Sequence, residues 1–337
     1  MNALMKTLLV GLWLGVLLTA RADPVVYGGE LQGFEYPAPV AQFPFTSQGQ
    51  AMHMAYLDYQ PTQANGHSVV LLHGKNFCAS SWHDTAVVLQ QAGFRVIVPD
   101  QIGFCKSSKP DGYRYSFEQL ADNTHALLGA LHINQATVIG HSMGGMLATR
   151  YALRFASAVE QLVLLNPLGL EDWKALGVPA LTHEEWLARE LAFSEERLRD
   201  YERNTYYAGE WKEEYEPYVQ VMAGMFRGPA RQTLALHSAW VYQMIFEQPV
   251  VQEFSQLQVP TLLMVGAKDN SALGKDWAPA SLKSQLGHYR AMALRAVKTI
   301  PSARLVLFPD LGHAPHIQNF ERFITALVNS LSALDKD

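Results

Sequence analysis

Residues 138–145 read VIGHSMGG, and this stretch indicates the fold more strongly than any other part of the chain. A short apolar strand pattern, ATVIG at 136–140, leads into it, and a helical pattern begins at Met143. Ser142 lies between glycines in the arrangement G-x-S-x-G. A serine on a sharp turn between strand and helix has a strained backbone, so its neighbours must have little bulk. The stretch therefore predicts Ser142 as an exposed nucleophile above the edge of a sheet.

Similar apolar runs recur on both sides of this stretch and alternate with helical patterns. Short strands without polar alternation are typical of a parallel sheet covered on both faces. Alternating strands and helices predict an α/β fold with a doubly wound, mostly parallel sheet. Strands are predicted at 40–46, 51–59, 68–72, 95–99, 136–140, 161–166, 261–265 and 304–308, and helices at 82–91, 116–131, 143–155 and 321–334.

The segment 171–256 interrupts this alternation. It has helical spacing, few strand signals and many aromatic residues. Structureless loops of this length are rare inside a compact domain, so the segment must fold as a unit. We predict a helical cap over 171–256, inserted into a core formed by 23–170 and 257–337.

A serine nucleophile needs a base, and the base needs a group that orients it. His313, in FPDLGHAPH, is the histidine in the loop after the last predicted strand. Asp269, in TLLMVGAKD, lies just beyond the end of an earlier strand and is the preferred third member. The less favoured alternatives are Asp276 and Asp310 for the carboxylate, while His316 is expected to be structural.

Other classes of site have little support in the sequence. The His313–His316 pair has no third ligand pattern and no H-E-x-x-H motif, so no metal is predicted. No P-loop or dinucleotide fingerprint is present, and no cofactor is predicted. A net charge of −5 without a basic run argues against nucleic acid as a partner. The expected partner is a small molecule.

The chain resembles the α/β-hydrolases over nearly all of residues 50–334. The similarity rests on the order Ser142, Asp269, His313, on the HGK sequence at 73–75 and on DQIG at 100–103. The resemblance implies a Ser–His–Asp triad. It also implies that the backbone amides of Lys75 and Met143 form the oxyanion hole.

The branch of this family is less well determined. A serine at position 142 excludes the branches with an aspartate nucleophile, and the H-G-G-G and Gly-Pro loops of two other branches are missing. Carboxylesterases, lactonases, C–C bond hydrolases and cofactor-free haloperoxidases remain. The aromatic cap favours apolar acyl or aryl groups. An ester hydrolase is expected from the order of the triad and its strand context, and the predicted export weighs against a C–C hydrolase. A C–C hydrolase or lactonase is the alternative, followed by a non-catalytic binding protein.

Four residues near the predicted site carry further expectations. His141 and Trp82 are predicted to contact the substrate, with simple packing as the alternative. The side chain of Lys75 is expected to point to solvent rather than to meet an anionic group. In a fold of this family Cys78 and Cys105 lie on loops at the same rim, so a disulfide between them is expected.

The N-terminus has the pattern of an export signal. Lys6 precedes an apolar run at 7–19, and Ala20-Arg21-Ala22 has the form that a signal peptidase recognises. The run is shorter than the roughly 20 residues of a comfortable membrane span. We predict a signal peptide over 1–22 and a periplasmic or secreted protein. An uncleaved N-terminal membrane anchor is the alternative.

Overall fold

An eight-stranded sheet organises the computed structural model, which describes residues 24–331. The strand order is β1-β2-β4-β3-β5-β6-β7-β8. The first two strands pair antiparallel and β2 is antiparallel to β4, whereas all the other neighbours are parallel. The strands are β1 Val40–Ser47, β2 Gln50–Tyr59, β3 Ser68–Leu72, β4 Arg95–Pro99, β5 Ala136–His141, β6 Val159–Leu165, β7 Thr261–Gly266 and β8 Ala303–Phe308.

The central strands are buried along their whole length. Every residue of β5 and of β7 is inaccessible to solvent, which requires cover on both faces of the sheet. This explains why their sequences are continuously apolar rather than alternating. The predicted α/β fold with a mostly parallel sheet is confirmed.

Helices connect the strands of the core. The helices predicted at 82–91, 116–131 and 143–155 begin and end within a residue of their expected positions, and the one predicted from 321 begins at Phe320. The α2 helix begins after Ser116, whose hydroxyl accepts a hydrogen bond from the Gln119 amide at 3.0 Å, as expected of an N-cap. The core helices are α1 His83–Gln91, α2 Phe117–Ala130, α3 Met143–Arg154, α8 Ala280–Lys283, α9 Tyr289–Thr299, α10 Pro315–Gln318 and α11 Phe320–Leu331.

Between β6 and β7 the chain forms helices and no strand, and we call residues 171–256 the cap. It contains α4 His183–Leu191, α5 Glu195–Tyr201, a π-helical turn at Glu202–Tyr206, α6 Glu216–Arg227 and α7 Arg231–Glu247. The α4 helix opens with a capping box between Thr182 and Glu185. Within residues 24–331 no helix is both long and apolar enough to cross a bilayer. The predicted signal peptide and the end of the predicted last helix lie outside the described residues.

The segment 24–36 runs along the cap and then along the core. The Tyr27 amide donates to the carbonyl of Gly224 in α6 at 2.9 Å. Further on, the Tyr36 hydroxyl donates to Asp100 Oδ2 at 2.7 Å, just after β4. The segment thus ties α6 of the cap to the carboxyl edge of the sheet.

Candidate active site

Ser142 lies on the predicted turn between β5 and α3. Its backbone has φ 57° and ψ −121°, a conformation that non-glycine residues rarely adopt. The glycines of this turn lie against other backbone atoms and leave no room for a side chain. A Cβ on Gly140 would be 2.1 Å from the carbonyl oxygen of Gly144. A Cβ on Gly144 would in turn lie 2.3 Å from the carbonyl oxygen of Leu72. Close packing, more than flexibility, therefore requires glycine at these two positions.

His313 and Asp269 meet at the carboxyl edge of the sheet. The Nδ1 atom of His313 lies 2.6 Å from Asp269 Oδ2, and both residues are buried. This contact leaves Nε2 as the ring nitrogen available to act as a base. The two alternative carboxylates have other partners: Asp276 pairs with Arg189, and Asp310 pairs with Arg322.

Asp269 is held by two residues that the sequence did not single out. Asn166, just after β6, donates from Nδ2 to Asp269 Oδ2 at 2.8 Å. Ser271 donates to Oδ1 twice, from its backbone amide at 2.8 Å and from its hydroxyl at 2.6 Å. The Ser271 hydroxyl also lies 3.0 Å from His313 Nδ1. These hydrogen bonds fix the direction of the carboxylate toward the imidazole.

The cap supports the His313 loop directly. The amides of His313 and Ala314 donate to the carbonyls of Thr205 and Tyr206 at 3.4 and 3.3 Å. The Tyr206 ring stacks on the imidazole, with centroids 4.8 Å apart. The π-helical turn thus helps to position His313, the predicted base.

The loop after β3 packs against the serine turn. A Cβ on Gly74 would lie 3.1 Å from Ser142 Cβ and 3.0 Å from a ring nitrogen of His141, so a larger residue there would have to displace these neighbours. His73 is buried, and its Nε2 accepts a hydrogen bond from the Gln101 amide at 3.1 Å. Lys75 follows Gly74 in this loop and lines the same cavity as Ser142, and Met143 follows the serine in sequence. The assignment of their backbone amides to an oxyanion hole stays a prediction.

The structure contains the expected disulfide between Cys78 and Cys105. Their Cα atoms are 5.8 Å apart, and the bridge spans 27 residues of sequence. Asp100 lies beside it and accepts hydrogen bonds from the amides of Ala79 and Lys106. The loops after β3 and β4 are thus joined both covalently and through one buried carboxylate.

The predicted substrate contacts of His141 and Trp82 are not found: neither side chain lines the cavity. Trp82 is fully buried and stacks on His316, with centroids 4.7 Å apart. His141 donates from Nε2 to the carbonyl of His313 at 2.9 Å. Burial, reinforced by the neighbouring His313, lowers the pKa of His316 to about 3. Burial and the adjacent histidines likewise hold the pKa of His141 well below its usual value. These rings pack behind the site as neutral groups.

The expected solvent orientation of Lys75 is wrong. Its side chain is only 11% exposed and ends 3.3 Å from Glu190 Oε2 in α4. The ammonium also lies 3.7 Å from the ring centroid of Tyr242 in α7. Burial lowers the pKa of Lys75, and the carboxylate of Glu190 counteracts this effect. Both partners belong to the cap. The residues next to Lys75 in the sequence therefore gave no sign of these contacts.

A cavity of about 410 Å³ lies between the cap and the sheet edge, and Ser142 and His313 both line it. Its wall is aromatic on the cap side, with charged groups among the rings. The aromatic residues contributed by the cap are Trp186, Phe193, Tyr201, Tyr206, Phe226 and Tyr242. The cavity can therefore hold an organic substrate with a substantial apolar part against the serine.

Among residues 24–331, the only cluster of His, Cys, Asp and Glu side chains close enough to share a metal ion is Cys78, Asp100 and Cys105. Both sulfur atoms belong to the disulfide and offer no thiolate. The Asp100 carboxylate already accepts hydrogen bonds from Tyr36, Ala79 and Lys106. The donor set therefore does not fit a metal.

The chain is similar to known hydrolases. The chain is 58% identical to a probable hydrolytic enzyme of Pseudomonas aeruginosa PAO1, whose crystal structure superposes with a TM-score of 0.90. That match covers 91% of this chain and 98% of the other. Lipase 1 of Psychrobacter immobilis is 26% identical over 261 residues, 75% of this chain and 73% of the lipase.

A third relative matches over a shorter length. The 2-hydroxy-6-oxo-2,4-heptadienoate hydrolase of Pseudomonas putida is 33% identical over 107 residues, which are 31% of this chain and 39% of that enzyme. The chain thus spans about two fifths of the length of this curated relative. The family model for the alpha/beta hydrolase fold matches residues 67–320. The chain belongs to the α/β-hydrolase family.

Proposed function

We propose that this protein is a serine hydrolase that cleaves carboxylic esters through an acyl-enzyme. The observation that carries the proposal is that Ser142 lines the same cavity as His313, whose Nδ1 contacts Asp269 at 2.6 Å. A serine, an imidazole and an oriented carboxylate are the parts that acyl transfer requires. The similarity to a lipase over three quarters of this chain supports the same class.

The proposed reaction has two halves. The Ser142 hydroxyl attacks the ester carbonyl while His313 Nε2 takes its proton, and Asp269 stabilises the resulting imidazolium. The amides of Lys75 and Met143 stabilise the tetrahedral oxyanion, and each such donor is worth on the order of 10²–10³ in rate. The imidazolium then gives its proton to the departing alcohol. Water, activated by the same histidine, hydrolyses the acyl-enzyme and frees the serine.

The wall of the cavity indicates the kind of ester. Six aromatic side chains of the cap face it, and such rings favour apolar acyl or aryl groups over small polar ones. Hydrolysis of a C–C bond is the second candidate, since the 2-hydroxy-6-oxo-2,4-heptadienoate hydrolase of Pseudomonas putida matches over 107 residues. That match covers only 31% of this chain, so ester hydrolysis is preferred.

We also propose that the protein is exported. The support is the signal-like pattern at 1–22 together with the buried Cys78–Cys105 bridge, since disulfides persist in oxidising compartments. The expected mature chain starts near Asp23. Mass spectrometry of the protein purified from its native host would show this N-terminus. A chain that retains residues 1–22 would favour the membrane-anchored alternative.

The function is tested by comparing the unmodified protein with Ser142→Ala. The substrates are esters of varied chain length, lactones, and a 2-hydroxy-6-oxo-dienoate as the substrate for C–C bond hydrolysis. Ester turnover in the unmodified protein and its loss by about 10⁴-fold or more in Ser142→Ala are expected. A fluorophosphonate should label the unmodified protein and not the variant. Ser330→Ala, in α11, is the matched control and should behave like the unmodified protein. Full ester turnover by Ser142→Ala would contradict the proposal.

A further inference from the structure

One ion pair lies inside the cavity, and its two members come from opposite sides. Lys75 belongs to the loop after β3, beside Ser142, whereas Glu190 belongs to α4 of the cap. Their side chains are only 11% and 13% exposed, and both line the cavity wall. Ser238 and Tyr242 of α7 complete the cluster: the Ser238 hydroxyl donates to Glu190 Oε2, and the Tyr242 ring lies under the ammonium.

We propose that Glu190 determines substrate specificity by neutralising Lys75, so that the cavity prefers esters that are uncharged near this wall over esters carrying a carboxylate there. The inference rests on the proposed function and adds the charge of the preferred substrate.

The electrostatic reason lies in the low exposure of the pair. A buried ammonium without a counter-ion would attract a carboxylate strongly, because charged groups out of water need a partner. Glu190 already fills that role at 3.3 Å. A substrate carboxylate that approached Lys75 would meet the like charge of Glu190 within a few ångströms, where screening by solvent is weak.

Within residues 24–331, the other charged groups at the cavity provide no unpaired positive charge away from solvent that could attract a substrate carboxylate. Asp276 pairs with Arg189 at 3.0 Å, and Asp200 pairs with Arg203 at 2.7 Å. Arg197 is exposed, and its guanidinium donates to the carbonyl of Ala192, so water screens its charge. The Lys75–Glu190 pair is therefore the charged feature that a substrate meets away from bulk water.

The test uses two pairs of esters that differ by one carboxylate. The first pair is 4-nitrophenyl pentanoate and the 4-nitrophenyl monoester of glutaric acid, which carries the charge on the acyl side. The second is phenyl acetate and 4-carboxyphenyl acetate, which carries it on the alcohol side. The measured quantity is the ratio of kcat/KM for the anionic ester to that for the neutral one, at pH 7. Any general loss of catalytic power cancels in this ratio.

Glu190→Gln should raise the ratio about tenfold or more in at least one pair, because a charge at this depth acts through a low effective dielectric constant. Lys75→Met keeps the backbone amide and removes the cation, so it should lower the same ratio. Glu253→Gln breaks an ion pair with Arg150 outside the cavity and should leave the ratio unchanged. A change of less than about twofold in both pairs for Glu190→Gln would overturn the proposal.

Binding without turnover separates this inference from the proposed function. Ligand-observed NMR with pentanamide and glutaramate gives the same comparison of neutral and anionic acyl groups. If no ester is hydrolysed but Glu190→Gln still improves the relative binding of glutaramate, the charge selection stands and the ester activity fails. If esters are hydrolysed and neither ratio responds to Glu190→Gln, the charge selection fails alone. Circular dichroism on each variant confirms that the fold is retained.

Discussion

Glu202 is a buried carboxyl group without a hydrogen-bond partner among the described residues. It starts the π-helical turn of the cap, it is inaccessible to solvent, and neither carboxylate oxygen has a hydrogen-bond partner. Burial raises the pKa of Glu202 to about 8; nearby Glu216 adds to this effect, and Arg199 opposes it. The side chain is therefore largely protonated at neutral pH, when it costs least to bury.

Glu202 should make the free energy of unfolding depend on pH. Above about pH 4.5 the unfolded chain releases this proton while the folded protein keeps it, so stability falls as pH rises toward 8 and then levels off. Glu202→Gln carries no proton to lose. We expect its free energy of unfolding, relative to the unmodified protein, to rise between pH 5 and pH 8 by on the order of a few kcal/mol.

Denaturant unfolding at several pH values measures this difference. Glu196→Gln changes an exposed residue of the neighbouring α5 and provides the control, for which a difference independent of pH is expected. A Glu202→Gln curve parallel to that of the unmodified protein would show that Glu202 is ionised in the folded state at all of these pH values.

The residues around the triad show the limit of sequence patterns at the same scale. Ser142 and His313 were predicted because each follows a strand within a recognisable motif. Asn166 and Ser271 were not predicted, although both donate to Asp269. Asn166 ends the apolar run QLVLLN, and its position after a strand that borders β7 was the one signal available. The direction of its side chain depends on how the neighbouring strands are aligned.

Among the structural elements, the π-helical turn and the His313 loop depend on each other. Gly312 faces the backbone of this turn: an added Cβ would lie 2.4 Å from the carbonyl oxygen of Tyr206 and 3.0 Å from the amide of Ala208. These are backbone atoms that cannot rotate away. The position of the predicted base is therefore set by contact between the core and the cap.

Gly312→Ala should push the His313 loop away from the cap. We expect kcat to fall by about tenfold or more, because small displacements of a catalytic group are costly, and stability to fall by about 1–3 kcal/mol. Steady-state kinetics and thermal unfolding measure both effects.

Gly129→Ala is the matched control for this substitution. Gly129 lies in α2, and an added Cβ would have no neighbour within 4 Å outside its own helix. Alanine there should stabilise the helix by up to about 1 kcal/mol and leave activity unchanged. Equal kinetics for Gly312→Ala and Gly129→Ala would show that the cap does not position the histidine loop.

The cap helices also show what periodicity leaves undecided. Helical spacing predicted that 171–256 would be helical, and the described elements of this segment agree. Of the aromatic residues in this segment, Trp186, Tyr206, Phe226 and Tyr242 reach the cavity, whereas Trp173 and Phe246 are buried elsewhere. The sequence pattern does not separate the two groups, because a helix face packed on another helix and a face lining a cavity are equally apolar.

At the scale of the whole molecule, two connections hold the site together across distant parts of the chain. The disulfide joins the loop carrying Lys75 to the loop after β4. The segment 24–36 joins α6 of the cap to Asp100 beside that disulfide. Both connections converge on the loop after β3, which carries Lys75, one of the two proposed oxyanion donors.

Removing the disulfide should therefore weaken the whole fold. In Cys78→Ala/Cys105→Ala we expect the free energy of unfolding to fall by about 2–4 kcal/mol, the usual range for a loop of moderate length. Urea unfolding under non-reducing conditions measures the change. Repeating the measurement on the unmodified protein after full reduction should give the same loss. An unchanged midpoint in both samples would mean that the bridge contributes nothing to stability.

The sequence by itself determined the α/β sheet, the order of the three triad candidates and the helical nature of the cap. These features depend on local patterns: continuous apolar runs, glycines that permit a tight turn, and helical spacing. Tertiary structure alone decided that Lys75 meets Glu190, that Trp82 and His141 pack behind the site, and which cap rings face the cavity. Lys75 and Glu190 are 115 residues apart in sequence. Such contacts exist only once the cap folds back over the sheet, and no local pattern encodes the angle at which it does so.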